Sequence, residues 1–435
     1  MNVIFFAFVA VAFAAAAYRQ LFLPDESPVP MDALSAAMLD SAASAVTLAI
    51  GLVGVMALFL GLMKVAEAGG LLVIIAKTVR PLMQRLFPEV PADHPAMGAM
   101  ILNISANALG LGNAATPFGI RAMQELETLN PQPGTATNAM VLFLAINTSS
   151  ITLLPTGVIA LRAAAGSVDP AAIVPTTLFA TICSTTAAII MAKVLQRRVS
   201  SARSLSSGPA IAAGDPDPLT AEPRPPVGEV DAAARDAYPL WVSMAVLAAI
   251  VALIPLTVFY GRAIAPWIIP SLMLGLLGFG AARKVRVYEV FIEGARDGFQ
   301  VALRIIPYLV AILVAVAMLR TSGALAALIG PLGVLTGPLG LPAEALPMAL
   351  LRPLSGSGAF GVLASIINDP AIGPDSYTGI LVSTFQGSTE TTFYVIAVYF
   401  GAIGVRRMRH ALPTALIADV VGIGAAVLIC GSLYG

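Results

Sequence analysis

Long apolar stretches, each ended by a short polar or Gly- and Pro-rich one, set the pattern of this chain. Runs of membrane-spanning length recur at Ser41–Met63, Ala171–Val194, Leu240–Tyr260, Val301–Leu319, Gly379–Phe400 and Leu412–Cys430. A hydrocarbon core of ~30 Å takes roughly 20 helical residues to cross. Backbone groups cannot stay unpaired in lipid, so these runs predict helices. Met1–Tyr18, apolar and Ala-rich, predicts an uncleaved first helix, because a signal peptide would carry a basic residue ahead of its apolar stretch.

Composition agrees with that pattern. Of 435 residues, 58% are hydrophobic and 11% charged, whereas soluble domains carry about 25% charged residues. The balance of 24 basic against 24 acidic residues gives nucleic-acid binding no support. Cys183 and Cys430 lie inside apolar runs, and His94 and His410 are far apart. Neither a disulfide framework nor a metal cluster is expected from them.

One segment breaks the pattern. Arg197–Pro226 holds Pro209, Pro216, Pro218, Pro223, Pro225 and Pro226 among many Ser, Ala and Asp residues. It has too little apolar surface to fold and reads as a tether. The predicted organisation is therefore a membrane half over residues 1–196, a linker over 197–236, and a second membrane half over 237–435.

The halves resemble each other. Asn138–Arg162 (NAMVLFLAINTSSITLLPTGVIALR) aligns without gaps on Tyr377–Gly401 (YTGILVSTFQGSTETTFYVIAVYFG). Asn147 then meets Gln386, Ser149 meets Ser388, Ser150 meets Thr389 and Thr152 meets Thr391. Upstream lie the polar, Gly-rich stretches Asn103–Gly119 and Arg352–Gly361, each preceded by a segment read as amphipathic, Leu71–Phe87 and Gly323–Leu335. Before these comes a full span, and after the polar helix a terminal one.

Basic residues favour the cytoplasmic side. Lys64, Lys77, Arg80 and Arg85 follow the first span of one half, while Arg283, Lys284, Arg286 and Arg296 precede its counterpart. Lys193, Arg197 and Arg198 follow one terminal span, while Arg406, Arg407 and Arg409 precede the other. The two halves should therefore be inverted in the membrane. Counting through predicts a cytoplasmic N-terminus, nine full spans, two re-entrant hairpins and an external C-terminus. The acidic loop with Asp25, Glu26 and Asp32 then lies outside, with only Arg19 against it.

The candidate chemistry sits in the polar interruptions. Asn103, Asn107 and Asn113, with Gly110, Gly112 and Pro117, suit a hairpin that enters and turns back, which is tolerated only beside protein or a wet cavity. Ser355 and Ser357 hold the equivalent place in the second half. No strand precedes Gly110-x-Gly112, and no histidine partners the serines, so neither a dinucleotide loop nor a serine hydrolase is expected. The clusters Asn147–Thr152 and Gln386–Thr392 interrupt apolar spans near Pro155 and Gly387. Paired broken helices point to a midplane binding site, against the simpler reading of polar residues gluing helices together. Glu390 is the sharpest residue: intramembrane carboxylates usually serve ion or solute paths. Its repeat partner is Ile151, and Arg352 is the expected ion-pair partner.

At these motifs a family resemblance emerges. The first half, with NISANALGLGNAATPFGIRAMQEL and FLAINTSSITLLPTGVIALRAAAGS, is similar to spore maturation protein A. The second, with RPLSGSGAFG and STFQGSTETTFYVIAVYFGAIG, is similar to spore maturation protein B, so the chain resembles a fusion of the two. That resemblance implies the nucleoside recognition or gate module, named also in concentrative nucleoside transporters and in ferrous-iron transporter B. It does not fix a nucleoside as solute.

The fold expected is an all-α polytopic membrane protein, an inverted repeat of two gate-type units with re-entrant hairpins and broken helices. The function expected is movement of a small polar solute, nucleoside-like in kind, across the bacterial inner membrane by alternating access. The alternative is a non-transporting protein that supports spore or envelope maturation. Asn103, Asn107, Asn113, Asn147, Ser149, Ser355, Ser357, Gln386, Ser388 and Glu390 are expected to line the site, with Arg352 and Glu390 as the coupling pair. The partners implied are the solute, a coupling proton or cation and the lipid bilayer; a homo-oligomer stays open. No enzymatic step and no cofactor are expected.

Overall fold

In the computed structural model, residues 2–22, 29–110, 112–149, 152–201 and 238–435 are described. The first half runs α1 (Asn2–Phe22), α2 (Pro30–Ala68), α3 (Leu71–Leu86), α4 (Pro95–Ala108), α5 (Gly112–Thr128), α6 (Asn138–Ser149), α7 (Thr156–Ala164) and α8 (Ile173–Ser201). The second runs α9 (Leu240–Ala282), α10 (Val287–Thr321), α11 (Ala324–Thr336), α12 (Leu346–Leu351), α13 (Gly356–Ile367), α14 (Tyr377–Ser388), α15 (Thr392–Gly401) and α16 (Ala411–Tyr434). The protein is all-α, and its helices follow the apolar runs. Residues 197–201 continue α8, while the rest of the expected linker, with Asp25 and Glu26, lies outside the described residues.

The order of elements repeats. The 12-residue helices α6 and α14 begin and end at aligned positions, and each is followed by a break and a shorter helix. Counterparts from the two halves pack on each other, α2 against α10 and α8 against α16. Small residues make the first contact close, because helix backbones can approach where side chains are short. Gly294 and Gly298, four apart on α10, sit against α2 so tightly that a Cβ on Gly298 would lie 2.6 Å from the Met56 carbonyl oxygen.

The two broken helices cross between the two cores. Val395, Ile396, Tyr399 and Phe400 of α15 pack among buried residues of α3 to α6. Val158, Ile159, Ala160 and Leu161 of α7 pack instead with α10, α13 and α14 of the second half. Arg162, fully buried at the end of α7, bonds Asp375 Oδ1 at 2.9 Å and the Asp169 carbonyl at 3.2 Å. It thereby ties the end of the first broken helix to the loop that leads into the second.

Four helices among the described residues are long and apolar enough to cross a membrane alone, at Phe5–Phe22, Pro30–Ala68, Pro170–Arg197 and Ala411–Tyr434. A fifth follows if Gly330–Leu339 and Ala343–Leu351, bent by 106°, count as one. The nine expected spans require counting the broken helices, α10 and two lengths of α9 as well. Large apolar side chains such as Trp241, Trp267, Leu274 and Val420 are exposed, as a lipid-facing surface requires. One expectation needs correcting. Leu71–Leu86 is amphipathic, but α11 has no charged residue and leaves Val334 and Leu335 exposed, so it is apolar all round rather than two-faced.

Candidate functional site

Both broken helices open where polar residues compete with the helix for backbone bonds. In the second half, Thr389 (φ −139°, ψ 163°) and Thr391 (φ −81°, ψ 96°) are extended. The freed groups find partners in other elements, as buried backbone must. Glu390 N–H donates to the Thr148 carbonyl at 2.9 Å, at the end of α6, so the two breaks bond directly. Phe393 N–H donates to the Pro353 carbonyl at 3.0 Å. The Arg352 guanidinium donates to the Thr389 carbonyl through Nη2 and to Thr391 Oγ1 at 3.0 Å through Nη1.

A backbone carbonyl and a hydroxyl bond the first break. Leu153 N–H donates to the Ala108 carbonyl at 3.0 Å, and Thr181 Oγ1 donates to the Ser149 carbonyl at 3.1 Å. Ser150 and Ile151 lie outside the described residues. Each half thus sets the tip of a helical hairpin on its own break. Gly110, at φ +74° between α4 and α5, lies so close that a Cβ would be 2.8 Å from the Leu154 carbonyl oxygen. Gly356, opening α13, would place one 2.7 Å from Thr391 Oγ1.

Where the tips and breaks meet, a cavity of about 260 Å³ opens, lined by Asn107, Pro155, Arg352, Phe360, Gln386 and Glu390 among others. Arg352 and Glu390 form the expected pair, 3.7 Å apart. The arginine is 5% exposed and the carboxylate 45%, so the cavity is offered the acid rather than its partner. Gln386 Oε1 is buried with no hydrogen-bond partner.

The remaining candidates sit behind this wall or away from it. Asn147 is buried and accepts from Asn107 Nδ2 at 2.9 Å and from the Tyr399 hydroxyl at 3.3 Å, while its own Nδ2 donates to the Phe143 carbonyl. Asn103 is also buried and donates to the Ala115 carbonyl at 2.8 Å and the Tyr399 hydroxyl at 3.0 Å. Ser149 and Ser388 bond carbonyls in their own helices, Ile146 and Phe385. Ser355 caps α13, accepting from Gly358 N–H at 3.0 Å, and Ser357 is exposed. Asn113 lies in the first turn of α5, and its side chain is outside the described residues.

Two residues at this centre carry no expectation from the sequence. Tyr399 joins the amide network across the halves, and its hydroxyl among apolar neighbours was the available signal. Asp419, 4% exposed on α16, accepts from Thr392 Oγ1 at 2.7 Å. It is a carboxylate inside the apolar run Leu412–Cys430, and the rule that singled out Glu390 applies to it equally.

Comparison with known proteins places this arrangement. The family model described as Gate, nucleoside recognition, matches residues 49–165 and 302–406, just over half of the chain. The chain belongs to the Gate family. Each matched stretch contains one hairpin and one broken helix. Over 167 residues the chain is 45% identical to spore maturation protein B of Bacillus subtilis (strain 168), covering 38% of this chain and 93% of that protein. Over 155 residues it is 48% identical to spore maturation protein A of the same strain, covering 36% of this chain and 79% of that protein. One Gate chain therefore carries relatives of two separate proteins. Solved structures with similar topology include CNTnw in an inward-facing substrate-bound state, at 15% identity and TM-score 0.43 over 98% of this chain and 90% of that one. Another is the Alcanivorax borkumensis YdaH transporter, at 15% identity and TM-score 0.42 over 99% and 97%.

Proposed function

We propose that this multi-pass Gate protein moves a small polar solute across the bacterial inner membrane by alternating access, with its N-terminus cytoplasmic and its C-terminus external. One observation carries the reading: two hairpin tips and two helix breaks, one of each from either half, converge on a single cavity. Two packed units around one site can rock past each other and open it to alternate sides. Asn107 and Gln386 supply amide hydrogen bonds to the solute, and Glu390 supplies charge. Asn103, Asn147 and Tyr399 hold Asn107 in place from behind. Amides that both donate and accept suit a nucleoside-like solute. No chemical step on the solute is proposed.

A second reading rests on the relatives, whose names speak of spore maturation. In it the chain supports envelope maturation without transport, and the Arg352–Glu390 pair is structural. Thermal unfolding of the purified protein against a panel of nucleosides, nucleobases and other small polar solutes separates the two, since binding raises apparent stability by mass action. A transporter gives a concentration-dependent stabilisation by at least one solute, reduced in Gln386→Ala. Stabilisation by none, with uptake into proteoliposomes also absent, favours the second reading.

A further inference from the structure

Arg352 is shared. It bonds Thr389 and Thr391 and lies 3.7 Å from Glu390, and its charge also acts on Asp419. Asp419 bonds Thr392, next in sequence to the Thr391 that Arg352 holds, so two carboxylates and one guanidinium gather here, a set one positive charge short of neutral. The acids differ in surroundings. Glu390 is 45% exposed and meets the cavity, whereas Asp419 is 4% exposed. Asp419 Oδ2 accepts from Thr392 Oγ1, but Oδ1 is buried without a hydrogen-bond partner.

A buried carboxylate with a bare oxygen is costly, while the neutral acid in the same place costs far less. The other ionisable groups on the elements packed around α16 do not supply the missing charge at this level. The described part of α8 offers Cys183 beside this region and Lys193 and Arg197 toward its end; α14 offers Tyr377, and α15 offers Tyr394 and Tyr399. α6 carries none, and on α16 the others, Cys430 and Tyr434, lie toward the far end, with His410 just before the first turn.

We propose that Asp419 is a proton-binding site, taking one proton on Oδ1 while Arg352 rests on Glu390. On release the Oδ1–H bond breaks, the proton passes to water entering the cavity, and the new carboxylate draws on Arg352. Glu390 is then left open to a cationic or donor-rich group on the solute. That coupling rests on the transport reading above; the proton site itself does not.

The test is infrared difference spectroscopy of the purified protein between high and low pH, without solute. The wild type shows a protonated carboxylic-acid band that Asp419→Asn removes and Glu390→Gln keeps. Glu390→Gln leaves Arg352 to Asp419 alone and shifts the band's midpoint to lower pH. Thr392→Val deletes the donor that favours the ionised form and shifts it to higher pH; this arm stands even where Asp419→Asn fails to fold. A band that survives Asp419→Asn overturns the proposal, as does a midpoint unmoved in Thr392→Val. An intact band in a protein that takes up no solute counts against transport alone. Solute uptake with normal pH dependence in Asp419→Asn counts against this assignment alone.

Discussion

The two helix breaks do the same architectural job with different chemistry. The first, between Ser149 and Thr156, is longer, and the Ala108 carbonyl and the Thr181 hydroxyl bond it. The second, at Thr389–Thr391, is shorter and is clamped by a buried guanidinium that carries a carboxylate with it. Neutral bonds inside a membrane protein contribute about 0.6 kcal/mol each on average, so the first break can loosen at small cost. Breaking a buried ion pair by deleting one partner costs about 3–5 kcal/mol. The second half therefore holds its break more firmly than the first.

Arg352→Gln should have the largest effect, because it leaves Glu390 without its cation and the Thr389 carbonyl without its donor. Thermal unfolding in detergent should register a loss of about 3–5 kcal/mol or a failure to recover folded protein. Thr181→Val, the comparable deletion at the first break, should cost about 0.6 kcal/mol. Equal losses at the two positions would erase the distinction between a charged and a neutral break.

Gly110→Ala should come next. Its φ of +74° excludes an ordinary side chain, and the added Cβ would press on the Leu154 carbonyl. The left-handed conformation alone costs about 1–2 kcal/mol. Solute uptake should fall with stability here, since the hairpin tip cannot seat on the break. Unchanged uptake would mean that this tip is not part of the gate.

Glu390→Gln should have a small effect on stability. The carboxylate is 45% exposed, and the nearby Asp419 can ionise to balance the buried Arg352, so the loss should stay well below that of Arg352→Gln. Its effect should instead be on uptake, which should lose its dependence on pH or on a driving cation. A destabilised variant with unchanged ion dependence would make the pair structural.

Much of this comparison was legible in the sequence. A gapless alignment of the halves set Asn138–Ser149 on Tyr377–Ser388, and these are the bounds of α6 and α14. Glu390 and Arg352 stood out because charge in an apolar run is expensive. Asp419 was absorbed into a span that hydropathy alone marked as apolar. The Arg162–Asp375 tie and the reach of Tyr399 to Asn103 join positions hundreds of residues apart, and no periodicity records such contacts. Gly294-x-x-x-Gly298 was visible as a spacing, but its meaning depends on the partner helix that crosses it. For the same reason the serines are hard to place from sequence. Ser149, Ser355 and Ser388 are polar residues whose hydroxyls bond their own turn of chain, and only the backbone path distinguishes that from a hydroxyl facing a solute.

The central claim is that two oppositely oriented halves bring their hairpins to one site from opposite faces of the membrane. Thiol labelling tests it most directly, using Gly112→Cys and Ser357→Cys, each in a background lacking Cys183 and Cys430. Gly112 opens α5 beside the first tip, and Ser357 is exposed in the first turn of α13. An impermeant reagent should reach position 112 from the cytoplasmic side and position 357 from the external side. Labelling of both positions from the same side would contradict the inverted repeat and the alternating-access account built on it.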